Sequence, residues 1–115
     1  MPTNPNLHLR GFRKRSCLTQ NDLARLLGHV SASTVSRLET GEQSPDLRTA
    51  FMLEAIFDAS ASRILRELFA GCAKAVRDRA ELLDDGLTLQ PDAPDVRRRR
   101  LELDAIIARI DRLRA

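Results

Sequence analysis

Hydrophobic residues return at every third or fourth position along most of the chain, and no stretch alternates with period two. That pattern predicts an all-α fold. The first helix is expected from Leu7 to Ser16, with Leu9 and Phe12 inward and Arg10, Arg13, Lys14 and Arg15 around them. Thr19 is a good N-cap for a second helix, and Asp22 three residues on makes a weak form of the capping box. Leu23, Ala24, Leu26 and Leu27 supply its apolar stripe, and Gly28 ends it. Ser31 caps a third helix that runs through Val35 and Leu38 to Gly41. In Ser44-Pro45-Asp46, Ser44 reads as a cap and Pro45 as the first position of a fourth helix carrying Leu47, Phe51, Ile56 and Phe57. After a turn at 58–60, Ser60 caps a long fifth helix. Ile64, Leu65, Leu68, Cys72, Val76, Ala80 and Leu83 keep its spacing, and Asp84-Asp85-Gly86 is expected to close it. Residues 88–94 are polar, hold two prolines and read as a loop. A last helix starts near Asp95 and runs to the end.

The composition shifts near Gly71. Residues 7–69 form a five-helix pattern with short connections, whereas residues 70–115 read as a helical hairpin extension. In the last helix Val96, Leu103 and Ile110 fall seven apart, as do Ile106 and Leu113, with Arg99 interrupting the seam. Either this helix packs back on the fifth, or both helices build a homodimer interface. Arg97 to Arg100 place four cations near a helix N-terminus, against the macrodipole. They form either a phosphate-contacting patch or a solvated helix turn.

The charge balance adds a mild lean. The chain of 115 residues carries a net charge of +3, and Arg supplies nearly all the cations, Lys occurring only at 14 and 74. A basic, Arg-rich surface suits a polyanion, since the guanidinium donates in pairs to phosphate and guanine. Lys14 and Arg15 are candidate phosphate contacts on this ground. Cys17 and Cys72 fit no metal spacing and read as free thiols in a reducing compartment. The polar, Pro-broken start does not resemble a leader, and no apolar run approaches a bilayer span, so a cytoplasmic protein is expected. His8 and His29 lie in surroundings unsuited to catalysis, and no Gly-rich phosphate loop or metal cluster appears. Neither an enzyme nor a cofactor is expected.

The informative stretch is 18–41: two short helices joined by a few residues, with Gly28 at the bend. This layout lets the second helix project into the major groove of DNA. Ala24 is small where the helices cross. Val30, Val35 and Leu38 pin the second helix to the core, leaving Ala32, Ser33, Thr34 and Arg37 outward.

These residues resemble the Cro/repressor-type (lambda-repressor-like, XRE) helix-turn-helix family. The likeness rests on Leu-Thr-Gln at 18–20, Leu-Ala at 23–24, Leu-Gly at 27–28, Ser-Thr-Val-Ser-Arg at 33–37 and Glu39-Thr40-Gly41. Ser44-Pro45 and the Leu53 to Phe57 run extend it, so that it covers roughly residues 7–69. The resemblance implies a five-helix DNA-binding domain. It implies that Gln20 anchors a phosphate, that Ala32, Ser33 and Thr34 meet base edges, and that Ser36 and Thr40 touch the DNA backbone. Arg37, one turn further on, would read a guanine or hold a phosphate. Arg13 and Glu39 match a salt bridge tying the first helix to the recognition helix. The chain departs from the family pattern at two places. His29 looks inserted before the recognition helix, and Cys17 stands where the family often has Gly. If position 17 needs a positive φ, Cys there costs roughly 1 kcal/mol against Gly.

The expected function is therefore a sequence-specific DNA-binding transcriptional regulator, a repressor working as a homodimer on double-stranded DNA. The alternative is an antitoxin-like module that grips a protein partner with its C-terminal helices and autoregulates its operon.

Overall fold

The computed structural model describes residues 6–28 and 31–114, with only the backbone of Arg114. His29 and Val30, including the inserted turn residue, lie outside the described residues. The described residues hold α1 (Leu7–Arg15), α2 (Gln20–Leu26), α3 (Ala32–Thr40), α4 (Leu47–Phe57), α5 (Ala61–Ile64), α6 (Arg66–Thr88) and α7 (Pro94–Arg114), and no strand among them. The chain divides into two compact units, Met1–Phe69 and Ala70–Ala115.

In the first unit the helix ends form where local chemistry requires. Asp22 N donates to Thr19 Oγ1 and Thr19 N to Asp22 Oδ2, both at 3.0 Å, so the capping box at α2 is complete. Ser31 Oγ accepts from Thr34 N at α3. Gly41, at φ 82°, ends α3 in the left-handed conformation that a Cβ disfavours. The end of α1 has the same geometry without a glycine. Leu18 N donates to Arg13 O and Cys17 N to Lys14 O, a Schellman closure with Cys17 at φ 59°. The strain expected at position 17 is therefore present.

Leu9, Leu23, Ala24, Leu27, Val35, Leu38, Leu53, Ile64 and Leu65 form the core, and the Phe12 and Phe57 rings meet beside it at 5.7 Å. Burying each such aliphatic side chain is worth about 1.5–3 kcal/mol, which outweighs the modest propensities of these short helices.

The structure corrects several expectations. Asp46, not Ser44, caps α4: its carboxylate accepts from Thr49 N at 2.8 Å, and Pro45 stays outside the helix. A charged acceptor makes the stronger cap. The long fifth helix is two helices, broken at Leu65 (φ −108°, ψ 46°). Ile64 and Leu65 are adjacent and both buried, and the break lets both enter the core, where a continuous helix would turn them about 100° apart. Gly86 does not close the following helix, which runs on to Thr88. The burial of Leu87, 2% exposed, more than offsets the roughly 1 kcal/mol that glycine costs inside a helix. Leu26, Leu47 and Phe51, expected on apolar stripes, are more than half exposed.

In the second unit Ala73, Ala80, Leu87, Val96 and Ile110 are buried. Two ion pairs join α6 to α7, Arg77 Nε to Asp111 Oδ1 at 2.6 Å and Arg100 Nε to Asp84 Oδ1 at 2.9 Å. Those pairs hold both guanidinium groups more firmly protonated than usual. With Arg97 paired to Asp92, two of the four consecutive arginines already have carboxylate partners within the chain.

Candidate nucleic-acid interface

Helix α3 is seated from behind. Val35 and Leu38 are buried on its inner side, and Glu39 beside them is 5% exposed. A buried carboxylate must be fully hydrogen-bonded to be tolerated. Glu39 Oε2 accepts from Arg13 Nε at 2.6 Å, and Oε1 accepts from Arg13 Nη2 and Gln20 Nε2, each at 3.2 Å. Arg13 Nη1 donates to Leu18 O at 3.0 Å, so the guanidinium spans the end of α1, the start of α2 and the back of α3. The Arg13–Glu39 pair that the family likeness implied is in place.

A second attachment had no signal in the sequence. Asn6 is buried, and its Nδ2 donates to Leu38 O at 2.7 Å while its backbone N donates to Glu39 O at 2.8 Å. The residue preceding α1 thus supplies donors to two carbonyls of the last turn of α3, that of Leu38 accepting from Gly41 N as well.

With its back fixed, α3 turns Ser33, Arg37 and Thr40 to solvent, and leaves Ala32, Thr34 and Ser36 half-buried. Arg37 Nη2 donates to Thr34 Oγ1 and Nε to Gln43 Oε1, both at 3.2 Å. Gln43 N donates to Arg37 O, so the loop after α3 folds back under the same residue. Nη1 and one hydrogen of Nη2 remain for a ligand. Gln43 was missed in the sequence; its six-residue separation from Arg37, across a helix end, matches no local motif. Thr40 Oγ1 donates back to Arg37 O.

The other expected residues divide. Gln20, at the first position of α2, is half-buried and uses one amide N–H on Glu39, which leaves its second N–H and its carbonyl oxygen. Lys14 is exposed. The guanidinium of Arg15 lies 4.7 Å over the Phe12 ring. Two residues from Arg13, it projects about 200° away around α1, and so is not brought to the α3 side. The carboxylate of Asp22 is held below the usual range, chiefly by the Thr19 N–H, and that of Asp46 by the Thr49 N–H. Both acids therefore serve as caps.

Among the described residues no group of three or more His, Cys, Asp or Glu is placed to hold a metal ion, and no helix is long and apolar enough to cross a membrane. Residues 9–64 match the family model described as helix-turn-helix. No curated protein and no solved structure matches the chain. The matched segment runs from within α1 to the end of α5, with Glu39 locked behind α3 and Arg37 in front of it. The first unit belongs to the helix-turn-helix family of the Cro/repressor (XRE) type, an all-α DNA-binding domain of transcriptional regulators.

Proposed function

We propose that the chain is a sequence-specific repressor that acts in the cytoplasm by laying α3 into the major groove of its operator. The observation that carries this reading is the exposed row of α3, with Arg37 held by Thr34 and Gln43 while Arg13, Gln20 and Asn6 fix the helix from behind. Arg37 reads a guanine through its free N–H groups, and Ser33 and the methyl of Ala32 meet neighbouring base edges. Thr34, half-buried and bonded to Arg37, adds a contact at the helix start. The free amide hydrogen of Gln20, with Ser36, Thr40 and Lys14, holds phosphates and sets the register. One α3 reads only a half-site, so two copies act together on half-sites about 34 Å apart.

Footprinting on DNA from the protein's own promoter region tests this. The wild type should protect a discrete site, with affinity falling steeply as salt rises. Arg37→Ala with Ser33→Ala should abolish site preference, leave helicity intact and keep weak, sequence-independent binding. If the wild type protects no salt-sensitive site, the repressor reading fails.

A further inference from the structure

Two cations of the first unit are held by a ring instead of by an acid. The guanidinium carbon of Arg15 lies 4.7 Å from the centre of the Phe12 ring, and that of Arg63 lies 5.7 Å from the same centre. The two groups therefore stand within about 10 Å of each other, although they belong to α1 and α5. Phe57 packs on Phe12 at 5.7 Å, so the end of α4 steadies the ring that both share. Among the described residues neither guanidinium meets a carboxylate.

Gly11 makes room for this arrangement. It stands inside α1, where glycine is less stable than alanine, and its backbone is not in the positive-φ region that favours glycine. The three atoms nearest to a Cβ placed there all belong to the Arg15 guanidinium, the closest, Nη1, at 3.1 Å. The glycine thus lets that guanidinium lie along α1 and reach the ring. Covering the ring does not by itself call for cations. An apolar side chain at 15 or 63 covers it as well, without bringing like charges together.

We propose that Arg15 and Arg63 form a docking site for an acidic segment of a partner protein, a helix carrying two carboxylates one turn apart. Acidic residues at i and i+4 of a helix share one face, with Cβ atoms about 5–6 Å apart, and their side chains span a cation pair of this separation. Contact with the ring leaves N–H groups at the outer edge of each guanidinium to donate in pairs to a carboxylate. The half-buried Phe12 ring offers an apolar residue of the same segment a surface beside them. A small anion is a poorer match, because both arginines are exposed and a small ligand needs a pocket that buries most of it. DNA lying on α3 is a poorer match too: Arg15 projects about 200° around α1 from Arg13, which ties α1 to that helix. The site goes beyond the repressor reading, and it stays open on a protein bound to its operator.

Titration of the full chain, followed by proton–nitrogen NMR of its arginine Nε–H groups, tests it. The probe is a helical peptide with Glu at two positions four apart, set against the same peptide with Gln. The Glu peptide should shift the Arg15 and Arg63 signals together and saturate them, and the Gln peptide should bind about ten-fold more weakly. Arg15→Gln and Arg63→Gln should each weaken binding about three-fold, and the double variant about ten-fold. Gly11→Leu, which alters no charge but fills the place of the Arg15 guanidinium, should also weaken it about three-fold. Lys14→Gln, which removes a neighbouring charge that does not touch the ring, should change it less than any of these. Circular dichroism checks that each variant keeps its helix content. Equal binding of the Glu and Gln peptides, or full binding by the double arginine variant, overturns the proposal. So does a loss with Lys14→Gln as large as with Arg15→Gln, which marks net charge alone as the attraction. Inorganic phosphate or a duplex of unrelated sequence that displaces the Glu peptide from both arginines overturns it as well, in favour of a small ion or a nucleic acid. No operator enters these titrations, so the proposal and the repressor reading fail separately.

Discussion

Replacing Glu39 by Ala should be among the most damaging single changes to the first unit. The Glu39 side chain is 4% exposed and that of Arg13 10%. The substitution removes three hydrogen bonds and leaves the guanidinium facing an emptied cavity, with only Leu18 O as a partner. An uncompensated buried charge of this kind costs about 3–5 kcal/mol, a large part of the about 5–15 kcal/mol that stabilises a typical domain. Arg13→Met should cost a similar amount, because it strands the carboxylate with Gln20 alone. The double variant Arg13→Met/Glu39→Leu removes both charges and refills the space, so it should be more stable than Glu39→Ala. The coupling energy should reach about 3 kcal/mol, at the top of the range for residues in contact. Urea unfolding followed by far-UV circular dichroism measures all four proteins at one fixed concentration. If the double variant loses the sum of the single losses, or if Glu39→Ala costs under about 1 kcal/mol as an exposed pair would, the account of how α3 is seated is wrong.

Two further predictions concern helix ends. Cys17→Gly should raise the midpoint of thermal unfolding by about 2–4 °C, because relief of the left-handed strain exceeds the entropy that glycine adds to the unfolded chain. Cys17→Ala, which keeps a Cβ, should not, and equal midpoints for the two would refute the strain. Asp22 and Asp46 accept backbone N–H bonds that hold their carboxyls below the ordinary range in the folded state. Their contribution is therefore fully present above the ordinary carboxyl value and lost as pH falls through the folded value. Asp22→Asn with Asp46→Asn should flatten the fall in urea midpoint between about pH 5 and about pH 2, and an unchanged slope would exclude the caps as its source.

The parts of the molecule legible in its sequence are those specified over a few residues. Thr19, Asp22 and Ser31 act through bonds to N–H groups three positions away, and Gly41 meets a local need for positive φ, so α2 and α3 were readable with their ends. The Arg13–Glu39 pair became visible only through likeness to a family, since nothing in the spacing of 26 residues announces it. What distant burial decides was not readable. The break at Leu65 follows from two adjacent residues both entering the core, and the passage of α6 through Gly86 follows from the burial of Leu87. Leu47 and Phe51 keep helical spacing on α4 yet face outward, because periodicity marks a stripe without saying what covers it. Gln43 and Asn6 complete the setting of α3 from irregular segments, where pattern carries least information.

The bonds from Thr34 and Gln43 to Arg37 bear on the thermodynamics of recognition. A long side chain that is free before binding loses about 0.5–1.5 kcal/mol of rotational entropy when it is immobilised. Arg37 has met part of that loss during folding. A guanidinium already oriented gains more from a well-placed guanine, and it cannot easily swing to make do with another base. Loosening it, by Gln43→Ala for instance, would reduce the contrast between right and wrong sites more than it reduces overall hold on DNA, because phosphate contacts elsewhere would be untouched. Gln43, with no base of its own to read, would then govern how selective the protein is.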